Sequence, residues 1–266
     1  MGRVPTEAEP WQMPPRWLQL LDEVADSIQP DDPTLAGWCA NYARQHRVRL
    51  AGDLRLVDAA APAGAHVLEY GAVPLLMTAA LARLDFCVSA LDVAPERFGA
   101  AIDGLGLQVA KCDVEREPVP FAADTFDYVL FNELFEHLRI NPIFTMREVH
   151  RVLRPGGTLI LSTPNLRSFR GVRNLLLHNQ GHAASADVYR QYEKLETLGH
   201  MGHVREYTTK EVGDFLIRIG FGIDKIVYRG GHGRGVTGWA ERLAPSMRPF
   251  FAVFARKVAP PGRDGG

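Results

Sequence analysis

Four short apolar runs in this chain each end on residues able to handle a ligand: 66–71 (HVLEYG), 86–93 with Asp92, 107–114 with Asp113, and 126–131 leading into Asn132 and Glu133. Runs of this kind read as buried parallel strands. Ligands in open parallel sheets lie beyond the carboxyl ends of the strands, where strand order reverses. Gly71 lets the backbone approach a ligand and opens a turn into a helix N-terminus, which favours a negative group. Asp92 can accept both hydroxyls of a ribose, and Asp113 can accept the amino group of an adenine. Together they describe a pocket for an adenosine-containing cofactor. A dinucleotide site is a poor match. Gly71-Ala72-Val73-Pro74-Leu75-Leu76 keeps only the first glycine of G-x-G-x-x-G, and Pro74 with two leucines would crowd a pyrophosphate.

A second group follows the fourth run. Glu133, Glu136 and His137 stand at i, i+3 and i+4, so a helix beginning near 133 puts them on one face. His203 comes far downstream, just ahead of the next helical segment. Two carboxylates and two imidazoles suit a hard or borderline divalent ion. The same residues also work without metal, with Glu136 paired to an arginine and His137 as general base or substrate orienter. Glu133, His137 and His203 are the catalytic candidates in either case. Further polar residues are Tyr42 and His46 among Arg44, Arg47 and Arg49, the set Arg167, Arg170, Arg173, Tyr189, Arg190 and Tyr192, and His150 and His200. His150 reads as an outer-face residue of its helix.

The elements that must position these groups alternate. Residues 16–28 place Trp17, Leu20, Leu21, Val24 and Ile28 at helical spacing, and a second helix, capped by Asp32 or Thr34, runs through Trp38 and Tyr42 towards Leu56. Residues 1–63 are thus expected to be a helical cap without strands. From 64 to 258 strands alternate with helices at 75–84, 95–105, 142–153 and 208–219, and Pro74 is placed to open the first of them. A turn at 154–157 precedes a fifth strand, 158–163, and the last strands are 221–228 and 250–257, with a Gly- and Arg-rich excursion at 229–249. This order predicts an α/β domain with a mostly parallel sheet. Residues 166–207 are too long for a plain connection and read as an insertion covering the substrate. Residues 1–15 and 259–266 are expected to be loose.

Composition narrows the function. The chain has 266 residues, 46% of them hydrophobic and 23% charged, an ordinary globular mix. Thirty Lys and Arg against 31 Asp and Glu leave a net charge of -1, which argues against DNA or long RNA as the main partner. Cys39, Cys87 and Cys112 form no CxxC pair and read as buried thiols of a reducing compartment. With no membrane-length apolar run and no secretory signal, the expected location is the cytoplasm.

The ordered set VLEYGA (67–72), ALDV (90–93), KCDV (111–114), FDYVLFNELFEHL (126–138) and EVHRVLRPGGTLILSTPN (148–165) resembles the class I S-adenosylmethionine-dependent methyltransferases, type 11-like. The resemblance implies a Rossmann-like, doubly wound sheet of seven strands, the last antiparallel and inserted between strands five and six. It implies S-adenosylmethionine as cofactor. Gly71 and Ala72 would pass under its methionine part, and Glu69 would hold the ammonium through the loop. Asp92 would bind the ribose, Val93 would pack on adenine, Asp113 and Val114 would read the adenine edge, and Asn132 would lie near the sulfonium. The glutamate–histidine cluster resembles that of small-RNA 3′-terminal 2′-O-methyltransferases, where a metal orients two neighbouring hydroxyls. The leading expectation is O-methylation of a small molecule, a sugar, glycan or secondary metabolite. The alternatives are an RNA 3′-end methyltransferase and a non-catalytic cofactor-binding regulator.

Overall fold

The computed structural model describes residues 6–8, 13–185, 187–198, 202–231 and 236–258. The loose ends expected before residue 13 and after 258 lie almost wholly outside them, as does His200. Among the described residues one sheet of eight strands has the order β4-β3-β2-β5-β6-β8-β7-β1. Without β1 this is the expected seven-stranded, Rossmann-like arrangement, with the last strand, β8, between β6 and β7. The chain groups into two compact units, Gln12–Leu130 with Arg151–Thr158, and Met1–Trp11 with Phe131–His150 and Leu159–Gly266.

The first unit begins with two helices. α1 (Pro15–Ser27) buries Trp17, Leu21 and Val24, one stripe at helical spacing. Asp32 caps a short 3-10 turn, Pro33–Leu35, by accepting the Thr34 N–H, and does not cap α2 (Ala36–Ala60) itself. α2 buries Leu50, Leu54 and Val57. Arg16 pairs with Asp58, and Arg47 grips Asp22 with two nitrogens. β2 (His66–Tyr70) lies parallel to β3 (Cys87–Asp92), with Glu69 opposite Ala90. β3 lies parallel to β4 (Gln108–Lys111), and β2 also pairs with β5 (Phe126–Asn132), placing Glu69 opposite Leu130. α3 (Leu76–Ala82) and α4 (Gly99–Leu105) are the connecting helices. α3 starts two residues after Pro74 because Leu75, at φ +70°, breaks the backbone run between them.

The turn expected at 154–157 is instead part of β6 (Leu153–Pro164), which follows α5 (Pro142–Val152). The N–H groups of Asp124 and Thr125 donate to the Arg151 and Val152 carbonyls, and Arg154 pairs with Asp127. Gly157 permits this close approach, since a Cβ there would lie 2.9 Å from the Arg154 carbonyl and 3.1 Å from that of Asp127. Cys39 and Cys112 are buried as expected, whereas Cys87, first residue of β3, is exposed. Its neighbours in sequence are apolar, but the strand becomes fully buried only from Ala90.

In the second unit β7 (Phe221–Arg229) runs antiparallel to β8 (Phe250–Lys257), and Phe251 to Ala255 of β8 are buried throughout. Between them the 229–249 excursion contains a helix, α9 (Val236–Leu243). The short β1 (Thr6–Ala8), not foreseen in the leading region, adds parallel to β7. An open strand edge supplies the pairing groups that the TEA sequence itself does not advertise. α8 (Thr209–Ile219) starts on a capping box, Thr208 with Glu211. Between β6 and α8 lie α6 (Phe169–His178) and α7 (Val188–Leu198), outside the sheet apart from one bridge, Asn165 to Tyr207. No described helix is long and apolar enough to cross a membrane.

Candidate active site

In the first unit the polar groups collect where β2 and β3 end. Gly71 takes φ +76°, a left-handed conformation that glycine adopts without strain. The N–H groups of Gly71 and Ala72 both donate to the Leu91 carbonyl, at 2.8 and 3.0 Å. Asp92 is the post around which both loops are set. One carboxylate oxygen accepts the Val73 N–H at 2.9 Å, and the other accepts the Ala94 N–H at 3.0 Å. Each oxygen keeps a lone pair for a further donor. Val93, the next residue, is 54% exposed, an apolar surface placed directly beside that carboxylate.

Glu69 is buried on β2 and accepts the Thr78 hydroxyl. Burial pushes its pKa up to about 8. The Thr78 hydrogen bond opposes this, while Asp92 and Asp53 add to it. Asp113 holds its own turn: one oxygen accepts the Glu115 N–H at 3.1 Å, and Arg116 lies 3.5 Å from the other. Val114 sits half-buried in the same turn.

The second unit carries the other group. Asn132 ends β5, and its carbonyl oxygen accepts the Ser162 hydroxyl at 3.2 Å. Its side-chain nitrogen is buried with no hydrogen-bond partner among the described residues. A buried donor of this kind fits a ligand atom, since leaving it unmet costs about 1–3 kcal/mol. The helix expected from 133 does not form. Glu133 takes φ +51°, its N–H donates to the Ser162 carbonyl at 2.8 Å, and its carboxylate accepts the Ser162 hydroxyl. Only a 3-10 turn, Phe135–His137, follows. The shared helical face is lost, and Glu133 is separated from Glu136 and His137.

Glu136, His137 and His203 nevertheless come together, each offering a ligand atom within 4.8 Å of the others'. Glu136 is wholly buried and accepts the Thr163 hydroxyl at 2.9 Å. Its other oxygen lies 4.0 Å from His203 Nε2. The His137 and His203 rings meet edge to face, with centroids 5.0 Å apart. His203 Nδ1 bonds to the Glu206 carboxylate at 3.0 Å, and its backbone N–H donates to the Gln191 side chain. Glu206 is buried and also accepts the N–H groups of Ala183, Ala184 and Ser185. Burial works to raise its pKa. The imidazole and the three main-chain donors outweigh that and hold the carboxyl at about 2.

Glu206 is the residue that sequence reasoning missed. Its only signal is its position three residues after His203. The remaining candidates separate. His150 is no outer-face residue, because its Nε2 meets the Gly220 and Val258 carbonyls and its ring stands edge-on to Phe221. Trp38, Tyr42 and His46 stack along α2, and burial, then Arg49, lowers the His46 pKa to about 4. Arg167, Arg170, Arg173, Tyr189, Arg190 and Tyr192 are all exposed. A groove of about 450 Å³ lies along α1 and α2, lined by Leu21, Ile28, Cys39, Arg44, Leu50 and Leu76, and none of the strand-end residues lines it.

Residues 58–161 match the family described as a methyltransferase domain. Over 109 residues the chain is 36% identical to the ubiquinone biosynthesis O-methyltransferase of Xanthomonas axonopodis pv. citri, covering 39% of this chain and 45% of that protein. The chain thus matches under half the length of such curated relatives. Among solved structures, a methyltransferase from Thermotoga maritima described as a possible histamine N-methyltransferase superposes with a TM-score of 0.56 at 18% identity, covering 84% of this chain and 97% of the other. The [4+2]-cyclase SpnF superposes with a TM-score of 0.54 at 18% identity, covering 96% and 98%. One fold therefore hosts different chemistry, and the reaction has to be argued from the site.

Proposed function

We propose that this chain, whose residues 58–161 match the methyltransferase-domain family and whose sheet resembles that of solved S-adenosylmethionine-dependent methyltransferases, moves a methyl group from that cofactor to a hydroxyl of a small molecule. The observation that carries the reading is Asp92, fixed at a strand end by one main-chain N–H on each oxygen and flanked by the exposed Val93. That is a ribose acceptor beside an apolar face for a purine. Glu69, Gly71, Ala72, Asp113 and Val114 complete the group assigned to the cofactor. Asn132 brings a buried amide nitrogen in need of an acceptor.

When bound, the cofactor supplies a methyl group on a positively charged sulfur. Transfer of that methyl to the acceptor oxygen would require the hydroxyl proton to leave. The histidine pair is the part of the chain built to take it. A carboxylate on Nδ1 of His203 makes that nitrogen the donor and leaves a lone pair on Nε2. His137, edge-on to it, is the neighbouring acceptor. Most of the rate enhancement comes from positioning and from keeping water out. That the Xanthomonas relative is an O-methyltransferase supports an O-methylation, and a sugar, glycan or secondary metabolite is the acceptor class we favour.

Calorimetry with S-adenosylhomocysteine tests the reading. Wild-type protein is expected to bind it, and Asp92→Ala to lose about 1–3 kcal/mol of affinity. Absence of heat with the wild type sinks the methyltransferase assignment. A second reading, methylation of an RNA 3′ end, is favoured by the Glu136–His137–His203 cluster alone. The net charge of -1 speaks against it.

A further inference from the structure

We propose that Asp31, in the connection between α1 and α2, is a positioning residue of the cofactor site, acting on Asp92 and Val93 through the segment that follows them. The inference deepens the reading above and rests on it for the identity of the cofactor.

The connection is stiff before it makes any contact. Its sequence is Gln29-Pro30-Asp31-Asp32-Pro33. Each proline fixes its own φ and keeps the residue before it extended, so Asp31 has little freedom left to lose. Asp32 fastens the far end by accepting the Thr34 hydroxyl and N–H. Asp31 itself offers a main-chain N–H and a carboxylate, and both are used far along the chain. The N–H donates to the Arg97 carbonyl at 2.8 Å. The two carboxylate oxygens share the Ala100 N–H, at 3.1 and 3.3 Å. The bonds from Thr34 lower the Asp32 pKa, and the Arg97 guanidinium adds to this, so the charge of Arg97 is felt along the same connection.

The receiving side is shaped for this carboxylate in two ways. Phe98, which precedes α4, has no side-chain oxygen with which to cap it. Asp31 supplies from a distance the acceptor that a capping residue would supply locally. Gly99 has φ −55°, an ordinary helical value that any residue adopts. Its missing side chain therefore provides space and not conformation, since a Cβ there would lie 3.0 Å from Asp31 Oδ2.

The segment held in this way is the one that leaves β3. It starts at Asp92, which accepts the Ala94 N–H at 3.0 Å. It passes through the exposed Val93 and a 3-10 turn, Pro95–Phe98, in which Pro95 and Phe98 are buried. It ends at Ala100, on Asp31. With both ends tied and Phe98 buried between them, Val93 keeps its place beside the Asp92 carboxylate. Cutting the Asp31 tie frees one end. A ribose and a purine that need both residues at once then meet a competent site only part of the time, and the apparent affinity falls in proportion. Coupling is reciprocal, so the bound cofactor holds the Asp31 tie closed by the same factor.

The test is S-adenosylhomocysteine calorimetry on the full chain as wild type, Asp31→Ala, Asp31→Asn, Gly99→Ala, and Asp31→Ala combined with Gly99→Ala, with circular dichroism to verify that each is folded. Asp31→Ala is expected to weaken binding about three- to tenfold, within the range that loss of a helix cap allows. Asp31→Asn keeps an acceptor oxygen and is expected to restore most of the affinity. Gly99→Ala is expected to weaken binding in the wild type and to add nothing in Asp31→Ala, where the atom it meets is gone. Hydrogen exchange at the Ala100 amide is expected to slow on adding S-adenosylhomocysteine to the wild type, and by a smaller factor in Asp31→Ala. A role in stability alone would lower the melting temperature and leave the affinities equal. A folded Asp31→Ala that binds like the wild type, or equal losses from Gly99→Ala in both backgrounds, overturns the proposal. Should Asp31→Ala not fold, Gly99→Ala decides, because it strains the same contact from the other side, and unchanged affinity then overturns the proposal. Absence of heat with the wild type rejects the methyltransferase reading and this inference together, whereas wild-type binding that Asp31→Ala leaves unchanged rejects this inference alone.

Discussion

Replacing Glu69 by glutamine should change how stability depends on pH. The side chain is fully enclosed on β2, and burial is the largest influence on it, raising the pKa from 4.5 to about 8. The direction follows from proton counting. Between pH 4.5 and 8 the native state holds a proton on Glu69 that the unfolded chain has released, so stability falls as pH rises across that interval. The contribution is fully present below pH 4.5 and is lost on passing through about 8. At about 1.4 kcal/mol per pH unit the whole interval amounts to about 5 kcal/mol. Glutamine keeps the shape, its carbonyl oxygen still accepts the Thr78 hydroxyl, and it cannot ionise. Urea unfolding of both proteins at pH 5, 6, 7, 8 and 9 gives the difference directly, and groups that do not touch Glu69 cancel in it. The variant should gain on the wild type by several kcal/mol between pH 5 and 9, with most of the change complete near pH 8. Parallel curves would show that the carboxyl is ionised in the native state and refute the argument.

Three further substitutions probe other links. Asp92→Ala leaves the Val73 and Ala94 N–H groups without their acceptor, and should lower stability by about 2 kcal/mol by chemical denaturation in addition to its effect on cofactor affinity. Thr208→Ala removes the capping box of α8 and should cost about 1 kcal/mol in the same assay, with S-adenosylhomocysteine affinity unchanged. Gly171→Ala places a methyl 2.1 Å from the Leu166 carbonyl, which α6 can relieve only by shifting. It should cost about 1–3 kcal/mol and raise the rate of proteolysis within 166–185.

Where residues act through their own stretch of chain, the sequence was enough. Apolar runs marked β2, β3, β5, β7 and β8. The strand-end set from Gly71 to Asn132 was legible for the same reason, because strand ends fall where the runs stop. What escaped notice depends on partners brought from far away. Glu206 has no signal in its own stretch of chain, because the N–H groups it accepts come from 183–185. His150 reads as an outer-face residue until the carbonyls of Gly220 and Val258 arrive. The helix expected at 133 failed because the Ser162 carbonyl and hydroxyl capture Glu133 and hold it left-handed, an influence from β6 that no local propensity encodes.

The position of β8 bears on how the chain is made. β8, which is made after β7, lies inside the sheet, between β6 and β7. Until residue 257 has emerged, β6 keeps an open edge and β7 lacks its antiparallel partner, so the sheet cannot close before then. A nascent chain in that state presents unpaired strand edges, the feature that invites aggregation and chaperone capture. Truncations that stop short of residue 250 should therefore be insoluble, and ribosome-arrested chains should become protease-resistant only after β8 has cleared the exit tunnel.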